Sequence, residues 1–304
     1  MGTAEIPFWS SGRYVSDGGL ETDLIFNHGV DLPEFASFPL VENDDGRRLL
    51  RRYYDGYAAV ARRAGAGLTL ESPTWRANHD WGARIGYDAA ALTRINQTAI
   101  EFLDQLRASY TRILDVRIIG AIGPRGDGYV AGDKADPDEA ADYHSDQVEA
   151  LADAGVDVVA SYTITGVEEG IGIARAARRA DVPVLIGFTV ETDGRLPDGT
   201  SLRDAVARVE AEEPADGYLV NCAHPTHIAP ALEEGDWLRR IVQVNPNAST
   251  LSHAELDAAA ELDAGDLGLL TSSYDALRDR LPALSIVGGC CGTDARHVAA
   301  LWGL

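Results

Sequence analysis

The chain has three cysteines, and each follows a short apolar run that predicts a β-strand. Cys222 comes just after residues 217–220, and the adjacent Cys290 and Cys291 come just after residues 284–287. Three thiolates are the ligand set of a zinc site whose fourth position stays open for a substrate, and such soft ligands select zinc over hard cations. The spacing therefore predicts a zinc centre. Three buried apolar cysteines are the alternative, since free cysteine is often buried.

The chemistry of such a centre follows from its charge. Three thiolates make zinc electron-rich and poorly suited to polarise a carbonyl, whereas lowering the pKa of another thiol suits it well. Attack by a metal-bound substrate sulfur is the expected reaction. Two histidines, His224 and His227, follow Cys222 closely, and a structural zinc site closed by His224 is the alternative. A residue two positions along an extended segment lies ~6.5 Å further on, which argues against His224 as a ligand. A contact with a metal ligand or with the substrate carboxylate is favoured instead.

Short β-type runs alternate with longer helix-type runs along the whole chain. The predicted strands are residues 13–16, 67–70, 116–122, 156–161, 182–188, 217–220, 241–244 and 284–287. The predicted helices are residues 45–64, 88–110, 138–154, 167–179, 202–212, 254–262, 273–280 and 294–302, with a short one within 230–235. Eight strands separated by helices predict a single-domain (β/α)8 barrel over residues 1–304, whose site lies at the carboxyl ends of the strands. An open doubly wound sheet is the alternative, but no strand precedes a glycine-rich dinucleotide fingerprint.

Composition excludes several function classes. The chain has 304 residues, a formal net charge of −22 and a pI near 4.6, which argues against nucleic-acid binding. No apolar stretch approaches the roughly 20 residues of a membrane-spanning helix, and residues 1–10 do not resemble a secretory signal. We therefore expect a cytoplasmic protein without membrane partners, in which the thiols stay reduced. Lys134 is the only lysine, so the acidic balance reflects either a high-salt habitat or biased codon usage.

Three motifs together resemble the homocysteine S-methyltransferase family. They are DGGLETDL at residues 17–24, Asn221 followed by Cys222, and GGCCGT at residues 288–293. The resemblance implies a (β/α)8 barrel, a zinc ion held by Cys222, Cys290 and Cys291, and methyl transfer to homocysteine to give methionine. The family includes enzymes that use S-methylmethionine, S-adenosylmethionine or betaine, and the homocysteine module of cobalamin-dependent methionine synthase.

The end of the chain narrows the expected donor. The sequence stops soon after the eighth predicted strand, so we expect neither a folate or cobalamin module nor the longer extension of the betaine enzymes. A small sulfonium, S-methylmethionine or S-adenosylmethionine, is then the expected donor, and the zinc-held thiolate displaces its methyl group in line without a general base. The alternatives are a zinc methyltransferase for another thiol or selenol, and a non-catalytic barrel with structural zinc.

Substrate-binding residues are expected beside the cysteines. In the family, the position of Asp17 lies near the amino-acid end of homocysteine, where a carboxylate can pair with the ammonium, and Gly18 allows close backbone approach. Glu71 follows the second predicted strand and offers a second carboxylate. Asn221 precedes a zinc ligand and is placed to orient the ligand or the substrate.

One departure from the family pattern concerns the fourth strand. Many members carry a glutamate–threonine pair there that helps to bind homocysteine, whereas this chain has Tyr162 and Thr163. Glu71 or Glu191 is expected to compensate for the missing carboxylate. Aromatic residues near strand ends, Trp75, Trp81, Tyr129 and Tyr162, are candidates for cation–π contact with a cationic donor, although for any single one of them core or rim packing is the better explanation.

Overall fold

The structure, a computed structural model, describes residues 7–132 and 136–304. Lys134 and residues 1–6, which belong to the stretch 1–10 that does not resemble a secretory signal, lie outside the described residues. Within the described part, no helix is both long and apolar enough to cross a membrane.

Eight parallel strands close into a barrel, in which each strand pairs with its neighbours in chain order and β8 pairs with β1. The strands are β1 Tyr14–Val15, β2 Gly67–Glu71, β3 Val116–Ile122, β4 Val158–Ser161, β5 Val184–Phe188, β6 Gly217–Asn221, β7 Ile241–Asn245 and β8 Ile286–Val287. Each lies within two residues of its predicted bounds, so the predicted (β/α)8 barrel is confirmed and the open sheet is excluded.

Helices connect the strands on the outside of the barrel. They are α1 Leu20–Thr22, α2 Asp44–Ala64, α3 His79–Arg84, α4 Ala89–Ser109, α5 Pro137–Asp153, α6 Val167–Arg179, α7 Leu202–Glu212, α8 Pro225–Ile228, α9 His253–Asp257, α10 Leu267–Arg278 and α11 Ala295–Leu301. Most begin at a side-chain cap. Asn43, Asp88, Ser201 and Asp294, for example, each accept a hydrogen bond from a backbone amide of the first turn, which satisfies a donor that has no partner within the helix.

Four helix predictions need correction, all in the connections. The helix α3, which Asn78 caps, was not predicted. The predicted helix at 254–262 ends at Asp257, and several residues after it line a cavity instead. The helix placed at 273–280 begins six residues earlier, because Asp266 caps it. The short helix expected within 230–235 is present only in part, as a 3-10 turn at Ala229–Ala231. An α-helix, α8, precedes it, where His224 caps the start and Pro225 occupies the first turn, a favoured place for proline.

Two apolar layers hold the fold together. The larger one packs the helices against the outer face of the barrel. The smaller one fills the barrel itself with alternate strand residues, among them Ile119, Val158, Leu185 and Leu219. Alternation along each strand sends successive side chains to opposite faces, so the position that follows an inward-facing residue by two also faces inward. At the carboxyl ends of the strands this rule directs polar side chains into the cavity described below.

A test of this layering compares two leucines of opposite exposure. Leu185→Ala removes a fully buried side chain from the barrel interior, and we expect it to lower the free energy of unfolding by about 2–5 kcal/mol. Leu114→Ala, at a fully exposed position, is the matched control and is expected to change stability by less than about 0.5 kcal/mol. Urea denaturation followed by circular dichroism measures both. Similar losses for the two variants would contradict the assignment of Leu185 to the interior layer.

Candidate metal and substrate site

The three cysteine sulfurs converge at the carboxyl end of the barrel. The Sγ atoms of Cys222, Cys290 and Cys291 all lie within 4.8 Å of one another. Cys222 follows β6, and the other two follow β8, with β7 between these strands in the sheet. The register aligns Asn221 with Asn245 and Val244 with Val287, so the three strand ends stand level. The cluster that the sequence predicted therefore forms.

The sulfurs of Cys222 and Cys290 also pair with each other in this structure, while the expectation that the thiols stay reduced in a cytoplasmic protein stays a prediction. Cys222 and Cys290 are joined as a disulfide, and Cys291 is free, with its sulfur 3.8 Å from that of Cys222. The physical reason is proximity, because the two Cα atoms are 5.4 Å apart, inside the range that disulfides require. The strand ends that bring the three sulfurs together also bring Cys222 and Cys290 close enough to bond to each other.

The backbone of Cys222 takes an unusual conformation that turns its side chain into the cluster. Its φ is +56°, in the left-handed region that residues other than glycine seldom occupy. Its carbonyl oxygen accepts hydrogen bonds from His253 Nε2 at 2.7 Å, Asn247 Nδ2 at 3.0 Å and Thr189 Oγ1 at 3.4 Å. Its amide donates to the carbonyl of Asn245 at 3.1 Å. These bonds fix the direction in which the sulfur points.

The loops after β1 and β8 interlock through glycines. The Gly289 amide donates to the Asp17 carbonyl at 2.7 Å, and the Gly19 amide donates to the Thr293 carbonyl at 3.1 Å. A side chain at Gly18 would collide with the Tyr57 hydroxyl and with Thr293. The absence of a side chain at Gly18 therefore lets the backbone pack closely against Tyr57 and Thr293. Gly18 also lines the cavity. The interlock positions Asp17 beside the cysteine-bearing loop.

Two carboxyl groups, Asp17 and Glu71, face the same cavity as the sulfurs. Burial raises the pKa of Asp17 well above its usual range, and the nearby charges of Glu71 and Glu21 raise it further. Burial also raises the pKa of Glu71, although hydrogen bonds to its carboxylate oppose this effect. Mutual repulsion within a low-dielectric site has this signature. A cation bound between the two groups would relieve it.

Glu71 is held by hydrogen-bond donors from three strands. Its Oε1 accepts from Ser16 Oγ at 2.6 Å, from Gln243 Nε2 at 2.9 Å and from Asn245 Nδ2 at 3.1 Å. The hydroxyl of Tyr162 also donates to Glu71. Tyr162 is buried and belongs to the interior layer of the barrel. The phenol that replaces the family glutamate thus contacts the carboxylate that the sequence suggested as its substitute.

Asn221 lies between the cysteines and the end of β4. Its Nδ2 donates to Thr163 Oγ1 at 2.9 Å and lies 3.8 Å from the sulfur of Cys290. Its Oδ1 accepts from the Thr163 amide at 2.8 Å. Thr163 has a φ of +61°, so this paired contact supports a second strained residue at the cavity. Asn221 faces a metal-ligand candidate and the cavity at once.

Tyr129 covers the sulfur cluster from the loop after β3. Its hydroxyl lies 3.6 Å from Cys291 Sγ, and its ring stacks on His253 with the ring centres 4.2 Å apart. Burial raises the pKa of Tyr129 well above its usual range, and Cys291 adds to this effect. Burial also raises the pKa of the Cys291 thiol to about 11. In this environment Cys291 becomes a thiolate only with a cation nearby.

Three sequence suggestions do not reach the cavity. Neither His224 nor His227 belongs to the sulfur cluster among the described residues, because His224 turns its Nδ1 to the Thr226 amide as the cap of α8. Glu191 does not line the cavity; it pairs with His253 Nδ1 at 2.9 Å. The hypothesis that Glu191 compensates for Tyr162 is therefore wrong, and Glu71 remains.

The aromatic wall of the cavity is partly occupied by arginine. Trp75 lines the cavity, and the guanidinium carbon of Arg76 lies 4.1 Å from the centre of its ring. The same atom lies 3.5 Å from the ring centre of Trp81, which Arg84 also covers at 4.3 Å. Trp81 does not line the cavity, so it does not face a substrate as the sequence suggested. Trp75, Tyr129 and Tyr162 do line it.

The cavity is about 410 Å³ in volume and opens through an acidic mouth. Asp127, Asp257, Glu261 and Asp263 surround the opening and are exposed. Together with the inner Asp17, Glu21 and Glu71 they give the cavity a strongly negative wall. Such a wall raises the local concentration of cationic ligands. The eight residues that the sequence selected, three cysteines and five candidates for substrate binding, all line this cavity.

Sequence reasoning missed several residues of the site. Ser16 and Gln243 face inward from the strands and hold Glu71, and His253 holds Cys222 from the loop after β7. For Gln243 a signal existed, since it is the one strongly polar residue in the apolar run Ile241–Asn245 before its final asparagine. Arg76, which directly follows Trp75 after the second strand, carried a weaker signal of the same kind.

Known proteins match this chain along nearly its full length. A sequence model described as homocysteine S-methyltransferase matches residues 14–302. The homocysteine S-methyltransferase of Escherichia coli is 27% identical, covering 94% of this chain and 93% of its own. A selenocysteine Se-methyltransferase of Brassica oleracea var. italica is 24% identical, covering 96% and 88%.

A crystal structure shares the fold. The homocysteine methyltransferase MmuM from Escherichia coli, in a metallated form, superposes with a TM-score of 0.73 at 24% identity and covers 96% of each chain. The same enzyme in an oxidized form gives the same TM-score. The likeness supports the barrel, and the sequence match over 14–302 supports the family. The chain belongs to the homocysteine S-methyltransferase family.

Proposed function

We propose that this enzyme transfers a methyl group from a small sulfonium donor to the thiol of homocysteine, giving methionine, and that zinc is its metal. The observation that carries the proposal is the convergence of three cysteine sulfurs within 4.8 Å in a cavity that also holds the buried carboxyl groups of Asp17 and Glu71. Family membership supports the reaction class, while the residues of the cavity support the substrates.

The donor set fits zinc. Cys222, Cys290 and Cys291 offer three soft sulfur ligands, and the cluster contains no carboxylate or imidazole among the described residues. Three protein ligands leave a fourth position for a substrate. A bound zinc ion supplies a charge that lowers the pKa of an acceptor thiol at neutral pH. Binding requires the dithiol form of Cys222 and Cys290, as in a reducing cytoplasm.

The acidic pair supports an amino-acid acceptor. The ammonium of homocysteine, placed between Asp17 and Glu71, would neutralise the repulsion that raises the pKa of Asp17 and would offset the burial that raises the pKa of both groups. Ser16, Gln243 and Asn245 hold the carboxylate of Glu71 in place, so binding costs little reorganisation. The Asn221 amide, 3.8 Å from the sulfur of Cys290, helps to orient that sulfur in the same cavity.

The mouth supports a cationic donor of modest size. Four exposed carboxylates suit a sulfonium, and the aromatic residues Trp75 and Tyr129 line the same cavity. The cavity must hold both substrates, and its volume of about 410 Å³ is near the lower end of the ~300–1,000 Å³ range of ligand pockets. This small volume favours S-methylmethionine over the larger S-adenosylmethionine. In the transfer, the acceptor sulfur forms a bond to the methyl carbon, the methyl–sulfonium bond breaks, and its electron pair stays on a neutral thioether. No general base touches the methyl group.

A different thiol or selenol acceptor is the second candidate. Tyr162 stands where many family members have a glutamate for homocysteine, and it donates to Glu71. The similarity to a selenocysteine Se-methyltransferase points the same way. Parallel assays with homocysteine and selenocysteine distinguish the two acceptors, and the higher kcat/KM identifies the preferred one.

The metal shell gives the most direct test. We expect the reduced protein to bind one zinc per chain with three sulfur ligands, and saturating L-homocysteine to add a fourth sulfur, because the acceptor thiol binds at the open position. X-ray absorption of the zinc-loaded enzyme counts these ligands. A zinc coordination shell that stays unchanged with homocysteine but gains a selenium ligand with selenocysteine would identify selenocysteine as the acceptor. A shell that ignores both would overturn the methyltransferase proposal.

Two histidine variants test how the metal ligand is positioned. His253→Ala removes the shortest hydrogen bond to the Cys222 carbonyl, and we expect zinc affinity to fall by roughly 10- to 100-fold, as for other outer contacts of metal ligands. His224→Asn, which keeps a cap for α8, is the matched control and is expected to leave zinc affinity unchanged. Competition with a chromophoric chelator measures both. Loss of zinc in His224→Asn would instead favour a closed structural site.

The acidic pair predicts a pH dependence. Because burial raises the pKa of Asp17 and of Glu71, both are partly protonated in mild acid and cannot pair with an ammonium. The KM for homocysteine is therefore expected to fall as pH rises through these raised values. Glu71→Gln should raise this KM by about 10- to 100-fold and flatten the profile. Steady-state kinetics across mildly acidic to neutral pH provide the measurement.

The control for this variant is Glu261→Gln, which removes an exposed carboxylate at the mouth of the same cavity. It should leave both the KM for homocysteine and its pH profile unchanged. An unchanged profile in Glu71→Gln, or an equal change in Glu261→Gln, would show that the ammonium is held elsewhere.

A further inference from the structure

Arg76 is the only basic residue among the described residues that line the cavity. Seven acidic residues share that lining with it. The residue is 7% exposed, and its guanidinium lies against the rings of Trp75 and Trp81. Stacking on two indoles fixes the plane of the guanidinium. A buried, oriented cation in an acidic wall is not explained by the acceptor site described above.

The hydrogen-bonding capacity of Arg76 is largely unused. Its Nη1 donates to the Gly126 carbonyl at 3.3 Å, while its buried Nε has no partner. Within the described residues it forms no ion pair. Guanidinium groups carry five donors and pair with carboxylates in a two-pronged geometry. A buried charge without a partner is costly, so these free donors point to an anionic group on a ligand.

The position of Arg76 indicates which substrate carries that group. Its Nη1 donates to the carbonyl of Gly126, next to Asp127 at the mouth of the cavity. Trp81, on which it stacks, also contacts Arg84, the ion-pair partner of Glu34. Asp127 and Glu34 are exposed, so this is the outer part of the cavity. The ammonium and carboxylate of an amino-acid acceptor share one carbon, so an acceptor anchored at Asp17 and Glu71 keeps its carboxylate beside them. The outer part of the cavity is left to the methyl donor.

We propose that Arg76 binds the carboxylate of the methyl donor, which makes an amino-acid sulfonium, with a free carboxylate, the preferred donor class. The inference rests on the proposed function. In this arrangement the onium charge faces the acidic and aromatic wall, and the carboxylate meets the one cation of that wall. Arg76 is then a specificity-determining residue that distinguishes donors with a carboxylate from those without one.

The test compares two donors that differ in one charge, S-methyl-L-methionine and its methyl ester. In Arg76→Gln the KM for S-methyl-L-methionine should rise about 10- to 100-fold, while the KM values for the ester and for homocysteine stay within about twofold. Arg76→Lys should lie between, because lysine keeps the charge without the fork. Arg84→Gln is the matched control, since Arg84 also stacks on Trp81 but pairs with Glu34 outside the cavity.

A binding measurement separates this inference from the proposed function. Calorimetric titration of the folded proteins with S-methyl-L-methionine alone should show binding to wild type and Arg84→Gln, and at least tenfold weaker binding to Arg76→Gln, whether or not methyl transfer follows. Equal binding to wild type and Arg76→Gln, or no binding to wild type, would overturn the inference. So would equal KM increases for the free acid and the ester, or an increase confined to homocysteine. Wild-type binding without transfer to any acceptor would count against the proposed function alone.

Discussion

The geometry of the site depends on the backbone of one residue, Cys222. A residue other than glycine in a left-handed conformation costs roughly 1–3 kcal/mol, and Cys222 adopts it directly after a strand. Three side chains donate to its carbonyl, and at about 0.5–1.5 kcal/mol each they offset that cost. An extended backbone at Cys222 would continue β6, and the alternation of side chains along a strand would then direct the Cys222 side chain away from the loop after β8. The sulfur cluster can form because these hydrogen bonds offset the cost of the left-handed backbone at Cys222.

His253, one of the side chains that donate to the Cys222 carbonyl, also connects Cys222 to other parts of the cavity. His253 contacts Cys222 through one nitrogen and Glu191 through the other, and Tyr129 stacks on its ring while its hydroxyl approaches Cys291. One imidazole thus links residues that follow β3, β5 and β7 to Cys222, directly after β6. A pre-organised outer layer of this kind holds ligands in place before the substrate arrives. It also explains why Glu191 is not available to a substrate ammonium.

Much of the barrel was predictable because strand and helix periods are local properties of the sequence. The strands fell within two residues of their predicted bounds, and the cysteines, Asp17, Glu71 and Asn221 could be placed at strand ends from the order of the elements alone. The connections were less predictable. The helix α3 and the early start of α10 depend on single capping residues, Asn78 and Asp266, that look like ordinary loop residues. Residues such as His253 act through tertiary contacts, so nothing in their neighbourhood announces them.

Tyr162 shows how a departure from a family pattern can be absorbed by geometry. On β4 the alternation Val158, Ala160, Tyr162 points the phenol into the barrel, where a glutamate at this place would bring another negative charge towards Asp17 and Glu71. The pKa of Asp17 is already raised by the charges of Glu71 and Glu21, and a further carboxylate would raise it more. A hydroxyl instead donates to Glu71 and stabilises its charged form. Asp17 and Glu71 thus come from the loop after β1 and from β2, and Tyr162, directly after β4, contacts one of them.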